Sequence, residues 1–234
     1  MPYTFLEEIL MREMRILKAG IVEYQIMAEK MKDMQKQRIR DEIPDTIIFV
    51  EHPEVVTIGP KAVREGVVVE GYKTSLTDRG GGITWHGPGQ LVVYPIIKWE
   101  IEEQGVRKII TKLEDWAISA LADCGIEAYK DQSMQGAWVD GHKICSIGLS
   151  FLHWVSRHGM SINIRTPGNR VEGLEGCGMN QGVHTSLSKL GYSLDNEGKE
   201  INISRIEDAL LANCEKIIAR KATLPIEWNK ELIA

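Results

Sequence analysis

The chain has 234 residues, a formal net charge of −5 at pH 7, 43% hydrophobic residues and 26% charged residues. This balance excludes a chain that is disordered throughout, and the length provides for a sizeable core. The net negative charge disfavours a general nucleic-acid-binding protein but is compatible with a local basic patch.

The N-terminal stretch does not have the pattern of an export signal. Glu7 and Glu8 lie where a signal peptide would be basic and then apolar, and the sequence has no apolar run long enough to span a bilayer. We therefore expect a cytoplasmic location. The first dozen residues match no recognisable pattern, so we expect an N-terminal extension over 1–12 and one folded domain over 13–234.

Hydrophobic periodicity predicts helices and strands along most of the chain. An amphipathic helix is expected over 21–38, with its methionines packed in the core. The remaining expected elements are helices over 106–121 and 206–218, strands at 46–51, 55–59, 66–70 and 158–164, and a hairpin within 136–152 that turns at Asp140-Gly141. Helices that flank a block of strands indicate one α/β or α+β domain.

The cysteines are expected to be free thiols. They are Cys124, Cys145, Cys177 and Cys214, and no two of them form a C-x-x-C pair, so a zinc knuckle has little support. Without a secretion signal, an even number of cysteines is not an argument for disulfides. Most free cysteines are inert, buried side chains.

One segment concentrates glycine around an arginine, a tryptophan and a histidine: RGGGITWHGPGQLVVYPI, residues 79–96. It does not match the phosphate-binding G-x-x-x-x-G-K-[ST] loop, and it does not open a predicted helix. Two hypotheses remain open on spacing alone. The segment is either a pair of tight turns inside a sheet, or a loop whose backbone approaches a ligand closely.

The same segment resembles the signature of the lipoyl(octanoyl) transferase family, the octanoyl-[acyl-carrier-protein]:protein N-octanoyltransferases. That signature reads R-G-G-x-x-T-x-H-G-P-G-Q-L-x-x-Y-P, and every fixed position is present from Arg79 to Pro95. Three more segments resemble the family in the same order: EHPEVVTIG at 51–59, GHKICSIG at 141–148 and GCGMNQGVHTSL at 176–187. The chain departs from the family pattern at Gly82, Gly176 and Ser161.

The resemblance implies a fold and a reaction. The fold would be a single α/β (α+β) domain with a mixed β-sheet backed by helices, similar to the catalytic domain of biotin and lipoate protein ligases. The reaction would move an octanoyl or lipoyl group from an acyl carrier protein thioester to a lysine of a lipoyl domain. The acceptors would be lipoyl domains of 2-oxoacid dehydrogenases and the glycine cleavage H protein. The resemblance implies no cofactor, no metal, and no contact with nucleic acid or membrane.

The resemblance also assigns residues. Cys177 would be the nucleophile that carries the acyl group, and Lys143 its partner in a Cys/Lys dyad. The substrate-binding residues would come from three segments: Arg79, Gly80, Gly81, Gly82, Ile83, Thr84, Trp85 and His86; Ser146, Ile147 and Gly148; and Gly159, Met160 and Ser161. His86 is expected to have a structural or positioning role, and the sequence assigns no role to His158 or His184.

Three alternatives stay open from the sequence. An ATP-dependent lipoate ligase would share the fold, but such ligases have no acyl-cysteine step, which makes Cys177 an argument against this alternative. An amidotransferase would move octanoyl groups between lipoyl domains. A non-catalytic module would bind acylated carriers without forming an acyl-enzyme.

Overall fold

The computed structural model describes residues 12–132, 134–174 and 182–228. The helices are α1 (Tyr24–Ile39), α2 (Pro60–Arg64), α3 (Val106–Ala122) and α4 (Ile203–Ile218), with a 3₁₀ turn at Leu187–Leu190. The strands are β1 (Glu13–Ile21), β2 (Asp45–Glu51), β3 (Val55–Ile58), β4 (Thr74–Leu76), β5 (Ile83–His86), β6 (Gln90–Ile96), β7 (Gly136–Val139), β8 (His142–Leu152), β9 (Val155–Asn163), β10 (Lys221–Ala222) and β11 (Ile226–Glu227).

Within the described residues, the strands form two sheets. The main sheet has eight strands in the order β10-β1-β2-β6-β9-β8-β7, with β11 also paired to β1. It is mixed, because β1 pairs parallel with β2, β10 and β11, whereas the pairs from β2 to β7 are antiparallel. The small sheet has the order β4-β3-β5. This architecture is the mixed sheet with helices that the sequence resemblance implies.

Side-chain alternation gives the main sheet two distinct faces. On β2, Ile47 and Phe49 join the larger core under α3 and α4, whereas Ile48 and Val50 join a second core under α1. The α1 core contains the predicted methionine stripe, Met27, Met31 and Met34, and all three side chains are buried. The small sheet lies on the α1 side, where β5 leads through a turn directly into β6.

Most of the predicted elements are present, with specific differences. All three predicted helices form, and the hairpin turns at Asp140-Gly141, where both residues have positive φ, 49° and 77°. The strand predicted at 66–70 is wrong, because residues 67–70 form no strand, and only Val67 and Val69 of this segment pack beside the small sheet. Strand β1 was not predicted. No described helix is long and apolar enough to cross a membrane.

Candidate active site

The glycine-rich loop before β5 is held between the two sheets by backbone hydrogen bonds. Gly80 N donates to Leu149 O of β8 at 2.9 Å, and Gly59 N donates to Gly82 O at 2.8 Å. The backbone segments approach so closely that a Cβ on Gly59 would lie 2.5 Å from Gly81 O. Gly81 itself has a φ of +98°, which side chains disfavour. The glycines are therefore required for close backbone approach.

Arg79 is fixed at the start of this loop. Its side chain is 7% exposed, and its guanidinium donates to Thr57 O at 3.1 Å and to Thr57 Oγ1 at 2.8 Å. A third hydrogen bond joins Nη1 to Gly80 O at 3.1 Å. Because three acceptors orient the planar fork, Arg79 is a rigid positive charge between β3 and the loop.

Three adjacent cavities lie between the small sheet and the face of the main sheet that α1 packs on. We call this the site face. The largest, of about 580 Å³, opens beside Lys143 and the glycine-rich loop. A narrow slot of about 30 Å³ continues inward between β5, β6, β8 and β9, and a third cavity of about 20 Å³ adjoins both at Thr84 and Ser146. All fourteen substrate-binding residues predicted from the sequence line at least one of these cavities.

A bulge in β8 turns Lys143 toward the large cavity. In the β7–β8 ladder Ala137 pairs with Cys145 but Trp138 pairs with Lys143, so Ile144 is an extra residue on β8. Ile144 and Cys145 consequently both pack into the larger core under α3 and α4, which we call the helix-side core, and Lys143 lines the same cavity as Ser146. Without the bulge, strict alternation would point Lys143 into the apolar core.

The environment of Lys143 favours loss of its proton. The residue is 6% exposed, and burial lowers the pKa of its ammonium from 10.5 to about 8. Cys145 and Glu114 oppose this shift, and Arg79 adds to it. No described residue forms a hydrogen bond with the Lys143 ammonium, and a Cβ on Gly136 would lie 2.8 Å from Lys143 Cε. A lysine with such a pKa exchanges protons near neutral pH.

His86 is part of a buried hydrogen-bonded network. Its Nδ1 donates to Gln90 Oε1 at 2.7 Å, and Gln90 Nε2 donates to Asn163 Oδ1 at 2.8 Å. The ring stacks on Tyr24, with centroids 5.9 Å apart. Burial lowers the pKa of His86 far below its ordinary value, so the ring stays neutral. These contacts fix the position of the ring, and the structural or positioning role expected for His86 stays a prediction.

The structure places the two histidines without predicted roles at the same site. His184 pairs in parallel with Lys143, and burial, together with the Lys143 charge, lowers its pKa to about 4. His158 Nε2 lies 2.8 Å from Asp78 Oδ1 and lines the slot. Burial lowers its pKa, although Asp78 opposes the shift.

Cys177 and Gly176 lie outside the described residues, but the chain on both sides reaches the site. Leu174 and His184 line the same cavity, and Val183 O accepts a hydrogen bond from Lys143 N at 2.8 Å. Of the departures from the family pattern, Gly82 anchors the loop through its carbonyl, and Ser161 is buried in the slot wall.

The sequence did not single out several residues that line the slot. Tyr24 belongs to the apolar stripe of α1 and looks like core, while Val92, Tyr94 and His158 lie on strands that pack against it. Their role depends on which strand lies beside which helix. The only signal in the sequence was Tyr94, which is a fixed position of the glycine-rich motif.

Comparisons with known proteins identify the family and the fold of this chain. The octanoyltransferase of Syntrophobacter fumaroxidans is 30% identical over 92% of this chain and 96% of its own length. That of Rubrobacter xylanophilus is 33% identical over 85% of this chain and 90% of its own. Among solved structures, lipoate-protein ligase A bound with ATP has a TM-score of 0.69 at 12% identity, covering 96% of this chain and 93% of its own.

Biotin protein ligase from Leishmania major, in complex with biotinyl-5-AMP, has a TM-score of 0.52 at 11% identity, covering 94% of this chain and 78% of its own. At such low identities these structures show the shared fold alone. The family model of the lipoyl protein ligase A/B catalytic domain matches residues 25–215. The chain therefore belongs to the lipoyl protein ligase A/B catalytic-domain family and, within it, to the octanoyltransferases.

Proposed function

We propose that this octanoyltransferase forms a covalent acyl-enzyme on Cys177, with Lys143 as the group that manages charge and protons. The observation that carries the proposal is a buried lysine, with a pKa of about 8, at the mouth of the large cavity. The described residues on both sides of 175–181 contact this same cavity region. Cys177 lies between these two described segments in the sequence, which supports its choice as the acyl carrier.

In the first step, the Cys177 thiolate attacks the thioester carbon of the octanoyl donor. The new carbon–sulfur bond forms as the bond to the carrier thiol breaks, and the departing carrier thiolate takes up a proton. A nearby ammonium favours the thiolate of a cysteine whose ordinary pKa is about 8.5. Protonated Lys143, which predominates below pH 8, supplies that charge.

In the second step, the amine of the acceptor lysine attacks the acyl-enzyme. The carbon–nitrogen bond forms, the Cys177 thiolate leaves, and the amine nitrogen loses one proton to yield a neutral amide. Neutral Lys143 accepts that proton, because its pKa of about 8 makes the neutral form available near physiological pH. An amide is more stable than a thioester, so transfer proceeds without ATP or a metal ion.

The other cysteines are poor candidates for the acyl carrier. Cys124, Cys145 and Cys214 are buried, and burial raises the pKa of all three thiols, that of Cys145 and Cys214 to about 12. Cys145 packs into the helix-side core, on the opposite side of β8 from the cavity. A thiol with so high a pKa supplies almost no thiolate at neutral pH.

The donor and acceptors proposed here are octanoyl-acyl carrier protein and the lipoyl domains of 2-oxoacid dehydrogenases and the glycine cleavage H protein, met in the cytoplasm. An acidic carrier protein needs a positive surface near the site. Arg157, Arg165 and Arg170 are weak candidates for it, because each is paired with a carboxylate, those of Asp78, Glu200 and Glu54. Lys61 lines the large cavity, and it too has a carboxylate neighbour, with its ammonium 3.8 Å from Glu65 Oε1.

The test is acyl-enzyme trapping followed by peptide mapping. After mixing with octanoyl-carrier protein, we expect one octanoyl group on Cys177 without added ATP or metal. Cys177→Ala should abolish both the label and transfer, whereas the matched variant Cys214→Ala should retain both. Label on another cysteine, or no label in a preparation that transfers octanoyl groups, contradicts the acyl-enzyme. Strict dependence on ATP would favour the ligase alternative.

A further inference from the structure

The inner end of the slot is closed by two side chains that separate it from a second cavity. Tyr24 and His158 line the slot, and they also line an outer cavity of about 260 Å³ together with Lys32, Leu76, Asp78 and Arg157. They are the only two residues common to both cavity linings among the described residues. Both are buried, with exposures of 3% and 2%.

Neighbouring groups hold this partition in place. Tyr24 Oη donates to Thr77 Oγ1 at 2.8 Å, and His158 Nε2 lies 2.8 Å from Asp78 Oδ1. Thr77 and Asp78 immediately precede Arg79, so the segment that begins the glycine-rich loop also fixes the partition. Arg157 binds the other oxygen of Asp78, which restrains that carboxylate.

An unusual backbone conformation directs His158 into this position. His158 pairs with Leu149, whose side chain packs into the helix-side core, and regular alternation would send His158 to the same side. His158 instead has a φ of +61°, a left-handed conformation that non-glycine residues rarely adopt. The ring consequently meets Asp78 on the slot side. Strain at a functional position of this kind persists only where the surroundings enforce it.

The distance along the strands matches a medium-length acyl chain. Ser146 lies where the slot joins the large cavity, and His158 pairs with the residue three positions further along β8. Three residues of strand span roughly 10 Å, which is close to the length of an extended eight-carbon chain. The slot is narrow, at about 30 Å³, so an entering chain has to displace lining side chains.

We infer that Tyr24 and His158 form the wall that limits acyl-chain length, and that longer chains are rejected because they would have to displace this wall into the outer cavity. The inference rests on the proposed acyl-transfer function and on the acyl chain occupying the slot. It assigns specificity for medium-length acyl groups to two residues outside the substrate-binding segments predicted from the sequence.

The test compares carrier thioesters of eight and fourteen carbons in His158→Gly and Tyr24→Ala. Glycine adopts the left-handed conformation without strain, so His158→Gly removes the ring and keeps the backbone. Each methylene that becomes buried contributes about fourfold in affinity. We therefore expect the ratio of kcat/KM for the fourteen-carbon donor to that for the eight-carbon donor to rise at least tenfold in both variants.

The controls separate the wall from other effects. Tyr24→Phe keeps the ring and should keep the wild-type ratio. Met134→Ala removes a comparable side chain from the large cavity, and it should also keep the ratio if the chain occupies the slot. If His158→Gly and Tyr24→Ala fold, transfer octanoyl groups and keep the wild-type ratio, the wall proposal is wrong. It is also wrong if the ratio rises only in Met134→Ala. Absence of octanoyl transfer by the unaltered protein would instead overturn the proposed function.

Discussion

The two faces of the main sheet differ in composition although the same strands build both. On the helix face, which packs under α3 and α4, strands β6 and β9 contribute four apolar residues to the core, Leu91, Val93, Met160 and Ile162. On the site face, the same strands contribute Gln90, Tyr94, Ser161 and Asn163. The helix face is stabilised by burial of apolar surface. The site face also contains buried polar groups, and these persist because they are hydrogen-bonded to one another.

Within this one sheet, the helix face therefore mainly determines stability and the site face mainly determines chemistry. Gln90, Asn163 and Thr185 form a continuous chain of hydrogen bonds across the site face, with Asn163 Nδ2 donating to Thr185 O at 3.0 Å. Such a network fixes the site geometry. Helix-face substitutions should therefore change mainly the free energy of unfolding, whereas site-face substitutions should change mainly catalysis.

Removing the Lys143 amine should have the largest effect on activity. Lys143→Ala eliminates the positive charge and the proton acceptor, and loss of a general acid–base group commonly slows a reaction about 10²–10⁴-fold. Lys143→Arg retains a charge but cannot accept a proton at working pH. It should form the acyl-enzyme faster than Lys143→Ala and still transfer slowly to the acceptor. Single-turnover kinetics of both half-reactions measure this, and wild-type rates in Lys143→Ala would show that the dyad is wrong.

A helix-face substitution should show the opposite pattern. Leu113 on α3 is fully buried in the larger core, so Leu113→Ala should lower the free energy of unfolding by about 2–5 kcal/mol. The folded fraction should retain its turnover within about twofold, because Leu113 does not line any of the cavities described here. Urea denaturation and turnover per folded molecule are the measurements. A large loss of turnover at full folding would contradict the division between the two faces.

Lys143 should also reduce stability at neutral pH. Its folded-state pKa is about 8, below the ordinary 10.5, so the unfolded chain holds the proton more tightly between those values. Stability therefore rises with pH from about 8 to 10.5, and the charge penalty is fully present below pH 8. Lys143→Met should raise the free energy of unfolding at pH 7 by about 1–3 kcal/mol. The gain should shrink at pH 10, and Lys143→Arg should not show it.

The helix face was largely predictable from the sequence, because apolar periodicity alone determines it. Helices α3 and α4 and strands such as β2 follow from this pattern, and so does α1 on the opposite face. The strand predicted at 66–70 shows the limit of prediction from apolar periodicity. Val67 and Val69 do pack beside the small sheet, but Val68 is exposed and no strand among the described residues pairs with this segment.

The site face was predicted only through the motif resemblance, and its geometry was not. The bulge at Ile144 that points Lys143 into the cavity depends on pairing with β7, which no local pattern encodes. The left-handed conformation of His158 likewise depends on contacts distant in sequence, with Asp78 above all. Tyr24 shares the helical spacing of the core methionines of α1, so only the tertiary structure shows that it lines the slot.

Glu114 lies on the helix side but influences Lys143 at the site. Its substitution should have the smallest effect on transfer. Its side chain is buried on α3, and Oε1 accepts a hydrogen bond from Gly136 N at 2.9 Å. Gly136 in turn lies against Lys143, and the Glu114 charge raises the pKa of that lysine. Glu114→Gln retains an oxygen acceptor for Gly136 N but removes the charge.

We therefore expect the pKa of Lys143 to fall below 8 in Glu114→Gln, so that transfer to the acceptor reaches its high-pH plateau at a lower pH than in the wild type. The shift should be small, because Cys145 and Arg79 also affect the pKa of Lys143 and His184 lies beside it, and all three remain unchanged. Glu114→Ala loses the hydrogen bond as well and should also reduce stability, by about 1–3 kcal/mol. The measurement is the pH profile of single-turnover transfer in the three proteins. If Glu114→Gln keeps the wild-type profile while Glu114→Ala is destabilised, Glu114 acts only by holding Gly136. The Glu114 charge on the helix side would then have no effect on the pKa of Lys143 at the site.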